Sequence, residues 1–400
     1  MTVSFTSRLS AAAAPHKHAW EHTVGSSHAV LGLRPDWQEQ LRRGHDERGF
    51  RHVRFHGLLT DDMGTLISRQ ETPLYSFFNA HRIWDFLLSI GMRPFVELGF
   101  MPERLASGRE TVFHFRGNVT PPANYDAWAT LIRKLVGHWV ERYGIAEVSQ
   151  WFFEVWNEPN LPAFWTGTQD DYFKLYGHTA QAIKSVDASL RLGGPATAVT
   201  EWIDELLDYG EKNRLPVDFI STHIYPTDPL GFEGADTEEQ LANLHGVPKP
   251  IYRAFQLLHG LGRERLPVAG AHETVDAWVV RNGRSITVFL TNHAQPRHAI
   301  VTHLVEVRLT DAPTPLAAYI ERIDEDHANP RRRWRELGEP EYPSRAQVEQ
   351  LDAASRLVKE PLGFSYADRT VRFDVDLPPH AVAAVTLEIA PEPSDRGAVA

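Results

Sequence analysis

Residues 151–160 read Trp151-Phe152-Phe153-Glu154-Val155-Trp156-Asn157-Glu158-Pro159-Asn160. The aromatic and β-branched run from Trp151 to Trp156 predicts a strand. Side chains two apart share a strand face, so Glu154, Trp156 and Glu158 point the same way, and Asn157 and Pro159 shape the exit. Similar runs lie at Phe50–His56, Pro94–Leu98, Leu190–Gly194 and Asp218–His223, with helical patterns between them at His81–Leu88 and Trp128–Val136. Strand–helix alternation implies parallel strands joined by helical crossovers. In such a barrel the chemistry sits where strands end and loops begin, which makes Glu158 the inward carboxylate nearest that rim. Arg54 and His56 share a face on an earlier strand, with Gly57 turning out of it. His223 and Tyr225 do so at the end of another, just before Pro226.

Beyond about residue 265 the period changes. Ala277–Leu290 reads as two strands joined at Asn282-Gly283, and Val305–Leu309 and Val371–Leu377 alternate strictly by two. The expected domains are therefore a barrel over residues 1–264, with residues 1–20 free to join the sandwich, a β-sandwich over 265–390 and a disordered tail over 391–400.

A formal net charge of -11 with mixed signs excludes the clustered basic face that nucleic acid needs. Arg331-Arg332-Arg333 reads as a solvated loop or an intramolecular ion-pair site. With no cysteine, disulfides and thiolate chemistry are excluded. Twenty histidines raise the question of a metal, but no ligand spacing such as His-Glu-x-x-His occurs, so no metal or cofactor is expected. His52 and the pair His16/His18 are expected to pack rather than ligate. No apolar run spans a bilayer and the N-terminus lacks a signal-peptide stretch, so a cytoplasmic home with no membrane partner is expected.

Cleaving a glycosidic bond requires a protonated carboxyl near the leaving oxygen and donors to the sugar hydroxyls. A carboxyl held among aromatic side chains keeps its proton near neutral pH. Trp156, Phe164 and Trp165 are the expected walls for the apolar faces of a pyranose. Glu154 is expected to be structural, paired with an inward arginine such as Arg54.

Val53-Arg54-Phe55-His56-Gly57 with Asp61-Asp62-Met63, Gly91–Leu98, Gly117–Pro122, Phe153–Asn160, Gly193-Gly194-Pro195-Ala196, Ser221–Asp228, Gly246–Pro250 and Ile323–Pro330 stand in one order along the chain. In that order they resemble the family 39 glycoside hydrolases, bacterial β-xylosidases with α-L-iduronidases as relatives. The resemblance implies a (β/α)8 barrel plus a β-sandwich, cleavage with retention, and a small carbohydrate partner, a xyloside or xylo-oligosaccharide. It implies Glu158 as acid/base, Asn157 as partner of the sugar 2-hydroxyl, and His56, His223 and Tyr225 as contacts at the scissile bond. Arg54 and Glu97 are expected near the same subsite.

In the family, the strand ending in His-x-Tyr-Pro is the sixth, a seventh presents the nucleophilic glutamate, and an eighth closes the barrel. A strand–helix unit takes roughly 30 residues. The interval from Pro229 to Gly246 cannot hold two of them. The expected fold is thus an α/β, TIM-type (β/α) barrel lacking strands 7 and 8, followed by a small antiparallel β-sandwich. An open sheet edge makes a homo-oligomer an expected outcome. Glu233, Glu238 and Glu239 lie in the shortened connection, and Thr200-Glu201-Trp202 mimics the nucleophile motif while opening a helix. Two expectations result: a retaining β-xylosidase using Glu158, or a deletion form that binds sugar without hydrolysing it.

Overall fold

A computed structural model describes residues 2–69, 72–225, 246–295 and 298–390. The interval from Pro229 to Gly246, expected to be too short for two strand–helix units, lies outside the described residues except for Gly246, and so does the expected tail at 391–400. The chain divides into two compact units, Glu21–Glu233 and Met1–Trp20 with Gly234–Ala400.

The first unit interleaves strands and helices: β1 (Thr23–His28), α1 (Pro35–Arg48), β2 (His52–His56), α2 (Phe78–Ser89), β3 (Arg93–Leu98), α3 (Tyr125–Tyr143), β4 (Phe152–Val155), α4 (Gln169–Val186), β5 (Arg191–Ala198), α5 (Ile203–Asn213) and β6 (Phe219–His223). The six strands form one parallel sheet in the order β6-β5-β4-β3-β2-β1. Among the described residues β1 and β6 are its two edges. Strands ending at His56, Glu97, Glu158, Gly194 and His223 are thus parallel neighbours, as their spacing predicts. The sixth strand, β1, was not predicted: Thr-Val-Gly-Ser-Ser-His carries no apolar alternation.

Local chemistry sets the helix ends. The Asn124 side chain accepts from the Asp126 and Ala127 amides to start α3, and Thr168 and Asp171 form a capping box on α4. In β2, Val53 and Phe55 are buried while Arg54 and His56 face the other way. Phe55 stacks on Trp84 of α2 at 5.6 Å between centroids, and Trp84 meets Trp139 of α3 at 5.7 Å and Trp151 at 6.0 Å. This buried aromatic layer seals one face of the sheet against its helices and leaves the other to the polar side chains.

In the second unit, two sheets enclose a core of alternating side chains, Val275, Ala277 and Val279 in one strand and Val371, Phe373, Val375 and Leu377 in another. The seven-stranded sheet is antiparallel, and Gly283-Arg284 link paired Asn282 and Ser285, with Gly283 at φ 56°. The five-stranded sheet has one parallel pair, because Thr2–Arg8 lies beside His303–Thr310. The helix Pro250–His259 also belongs to this unit, where Leu257 packs with Phe289, Ile323 and Ala384. The basic run forms a short helix, Arg331–Glu336, with Arg332 paired to Asp326 at 2.7 Å and Arg333 to Glu336 at 2.9 Å. His16 and His18 are buried, with His18 stacked on Trp20 at 4.7 Å.

Candidate active site

Arg54 organises the C-terminal ends of β2, β3 and β4. Its Nε donates to Glu154 Oε2 at 2.6 Å, and its Nη2 reaches Glu97 Oε2 and Asn157 Oδ1, each at 3.0 Å. His56, two residues along the same face, has Nδ1 2.7 Å from Glu97 Oε2. Glu97 and Glu154 are each only 1% exposed, so their charges need these partners. Burial pushes the Glu97 carboxyl upward, but His56, Arg54 and His223 outweigh it and hold its pKa below the ordinary value. Burial likewise depresses Arg54, and the carboxylates, Glu154 first, raise it above the ordinary arginine value.

Glu158 stands just beyond β4. Its amide donates to the Ala196 carbonyl at 2.8 Å, and its Oε1 lies 2.7 Å from His223 Nδ1. Trp156 at φ 71° and Glu158 at φ 44° occupy the left-handed region, which persists in non-glycine residues only where the surroundings dictate it. The side chain of Glu158 is 10% exposed and that of His223 is 22% exposed. A carboxyl is thus presented at the rim with a histidine ring nitrogen in hydrogen-bond contact.

The structure joins Arg54, His56, Glu97 and Asn157 in one contact group and Glu158, which follows Asn157 directly in the chain, with His223 in another. Tyr225 closes the described stretch two residues past His223 and is 41% exposed. Glu97 lies behind His56 and Arg54, oriented toward them. The expected aromatic wall is corrected. Trp156 and Trp165 are buried, and Trp156 Nε1 donates to the Phe164 carbonyl at 2.7 Å, so both tryptophans form the floor. The exposed ring is Phe113, with its centroid 5.6 Å from His56 and 5.5 Å from Phe164. Phe113 escaped the sequence analysis, although an aromatic residue in the loop after a barrel strand is a signal for such a wall. Glu201 is exposed and accepts from Asn160 Nδ2 at 3.0 Å; it makes no contact with Glu158.

Among the described residues no three His, Cys, Asp or Glu side chains are grouped to hold a metal ion. Nor is any described helix long and apolar enough to cross a membrane.

The sequence profile of Glycosyl hydrolases family 39 matches residues 8–240 and 230–369. The chain belongs to that family. It is a family 39 glycosidase, and curated relatives agree. A β-xylosidase of Caldicellulosiruptor saccharolyticus is 40% identical over 463 residues, covering 92% of this chain and 95% of the relative. One from Geobacillus stearothermophilus is 33% identical over 441 residues, covering 84% and 86%. The crystal structure of a monomeric β-xylosidase from Caulobacter crescentus CB15 superimposes with a TM-score of 0.84 at 26% identity, covering 98% of this chain and 100% of that one. The family 39 fold is a TIM-barrel-like catalytic domain with a β-sandwich. The parallel sheet of Glu21–Glu233 and the antiparallel sheets of the other unit are its two parts.

Proposed function

We propose that this family 39 glycosidase hydrolyses β-xylosides with retention, using Glu158 as proton donor and then as base. The observation that carries the proposal is the Glu158–His223 hydrogen bond of 2.7 Å at the strand rim. Glu158 delivers its proton to the glycosidic oxygen as the bond to the anomeric carbon breaks, then takes a proton from the water that follows. The Asn157 carbonyl is committed to Arg54, which leaves its amide nitrogen as the group for the sugar 2-hydroxyl. His56 with its Nδ1 held by Glu97 offers Nε2 to a second hydroxyl. Tyr225 and the Phe113 ring complete the pocket, while Glu97 and Arg54 orient the groups that touch sugar.

Retention requires a second carboxylate about 5–5.5 Å away across the sugar. Glu97 and Glu154 are committed to Arg54, and the candidates for the attacking group are Glu233, Glu238 and Glu239, which lie outside the described residues. The partners are a small carbohydrate and, along the open edges of the sheet, a second copy of the chain.

A second reading has its own support. The alignment to the Caldicellulosiruptor relative runs over 463 positions although the chain has 400 residues, and the family profile matches in two pieces. That second reading is a barrel shortened after β6 by its seventh and eighth strands, with a cleft that binds xylosides without cleaving them, a reading that the β-xylosidase relatives do not favour. Incubation with p-nitrophenyl β-xyloside separates the two. Turnover abolished by Glu158→Gln supports the enzyme; saturable binding without turnover supports the shortened binding form.

A further inference from the structure

We propose that Thr222 is a positioning residue for the Glu158–His223 pair, acting by locking a β-bulge at Ala196. This rests on Glu158 being the proton donor. Between β5 and β6 the register runs Pro195 to Ser221, then Thr197 to Thr222 and Ala198 to His223. Ala196 is therefore an extra residue in β5, with φ 54°. A bulge re-aims the groups on its strand, and here it swings the Ala196 carbonyl onto the Glu158 amide at 2.8 Å. Three residues on, the Val199 amide donates to the His223 carbonyl at 2.9 Å. The backbones of both members of the pair thus hang on residues 196–199 of one strand end.

That strand end needs holding. Ala196, Val199 and Thr200 all lie in the left-handed region, at φ 54°, 52° and 64°. Such conformations in non-glycine residues relax when their partners are removed. The Thr222 hydroxyl spans the bulged segment: it donates to the Thr197 carbonyl at 2.8 Å and accepts from the Thr200 amide at 3.0 Å. It sits directly beside His223 in β6, so it fixes the separation of β5 and β6 at the point where the pair forms. Tyr172 acts on the opposite side, with its hydroxyl 3.0 Å from the Val155 carbonyl and 3.3 Å from that of Pro195. That contact ties β4 to β5 but does not reach β6; Asn160 holds Ala198 from the Glu158 side, and Thr222 is the side chain of β6 that bridges to the bulged end of β5. Without the hydroxyl, the Thr197 carbonyl and Thr200 amide turn to solvent, the bulge loosens, and the proton donor drifts from its place.

The test separates misplaced proton delivery from a general loss of structure. A dinitrophenolate leaves without a proton, whereas an alkoxide must receive one as the bond breaks. Thr222→Val keeps the shape and removes the hydroxyl. It is expected to lower kcat/KM on an alkyl β-xyloside by about ten- to a hundredfold while changing glycosylation by dinitrophenyl β-xyloside about twofold at most. Thr222→Ser is expected to restore the alkyl rate. If Thr222→Val does not fold, Thr222→Ala is compared with Thr222→Ser in the same way. An equal loss on both substrates, or no loss, overturns the proposal. Glu158→Gln is run alongside. If it too fails to discriminate between the substrates, Glu158 is not the proton donor. If it discriminates and Thr222→Val does not, the bulge lock alone is wrong.

Discussion

At the residue scale, Arg54 carries the heaviest electrostatic duty, since Glu97 and Glu154 are both buried beside it. Arg54→Met keeps much of the volume but takes the cationic partner from Glu154 and leaves Glu97 with His56. Breaking a buried pair in this way costs about 3–5 kcal/mol, and urea unfolding is expected to show a loss of that size. Stability unchanged by Arg54→Met would mean that the carboxylates are not charged. Histidines set a separate pH limit. Burial lowers His52 and His81 from 6.5 to about 4 each. Their folded-state pKa lies below the unfolded value, so above pH 6.5 both states are neutral and these groups cost nothing. As pH falls from 6.5 toward 4 the unfolded chain takes up protons that the folded one refuses, and stability is lost. Melting temperature followed across this window should fall more for the wild type than for His52→Gln; parallel curves would contradict the assignment. The pairing of Arg54 with Glu154 was legible because a strand's period of two puts Arg54 and His56 on one face and Glu154 on another that meets it. The tryptophans were misread because a large ring at a strand exit serves as wall or floor with the same sequence, and only its burial decides between them.

At the scale of elements, β2 to β6 were legible from β-branched and aromatic runs punctuated by helical periods. β1 was not, since Gly25, Ser26 and Ser27 give it neither alternation nor propensity, and pairing with β2 alone makes it a strand. The bulge in β5 was equally hidden: Gly193-Gly194-Pro195-Ala196 stands out in the sequence, but the left-handed Ala196 arises from partners in β4 and β6. The edges carry a prediction. On β6, Ile220 is 40% exposed, and Ile224 just beyond it is 63% exposed, an apolar margin on a strand that has no second neighbour among the described residues. Unpaired strand edges of this kind join other chains. Light scattering across a concentration series should show association, and Ile220→Lys with Ile224→Lys should reduce it. A strictly monomeric wild type at all concentrations would contradict the role of this edge.

At the scale of the whole molecule, the change of texture near residue 265 marks where the alternating strands begin, while the compact units divide at Glu233 and Gly234 and the helix Pro250–His259 falls in the second. The sequence left residues 1–20 free to join the sandwich, and Thr2–Arg8, which alternates as any half-buried strand does, lies in its five-stranded sheet. Membership of family 39 assigns glycosidase chemistry to the chain, and the parallel sheet brings six of the expected site residues into two contact groups, Arg54 with His56, Glu97 and Asn157, and Glu158 with His223. Everything proposed for these groups turns on Glu158 as proton donor. The most direct measurement is kcat/KM for an alkyl β-xyloside, wild type against Glu158→Gln. A general acid contributes about 10²–10⁴-fold, so a fall of that size is predicted. Equal rates for the two proteins, or no turnover by the wild type, would contradict it.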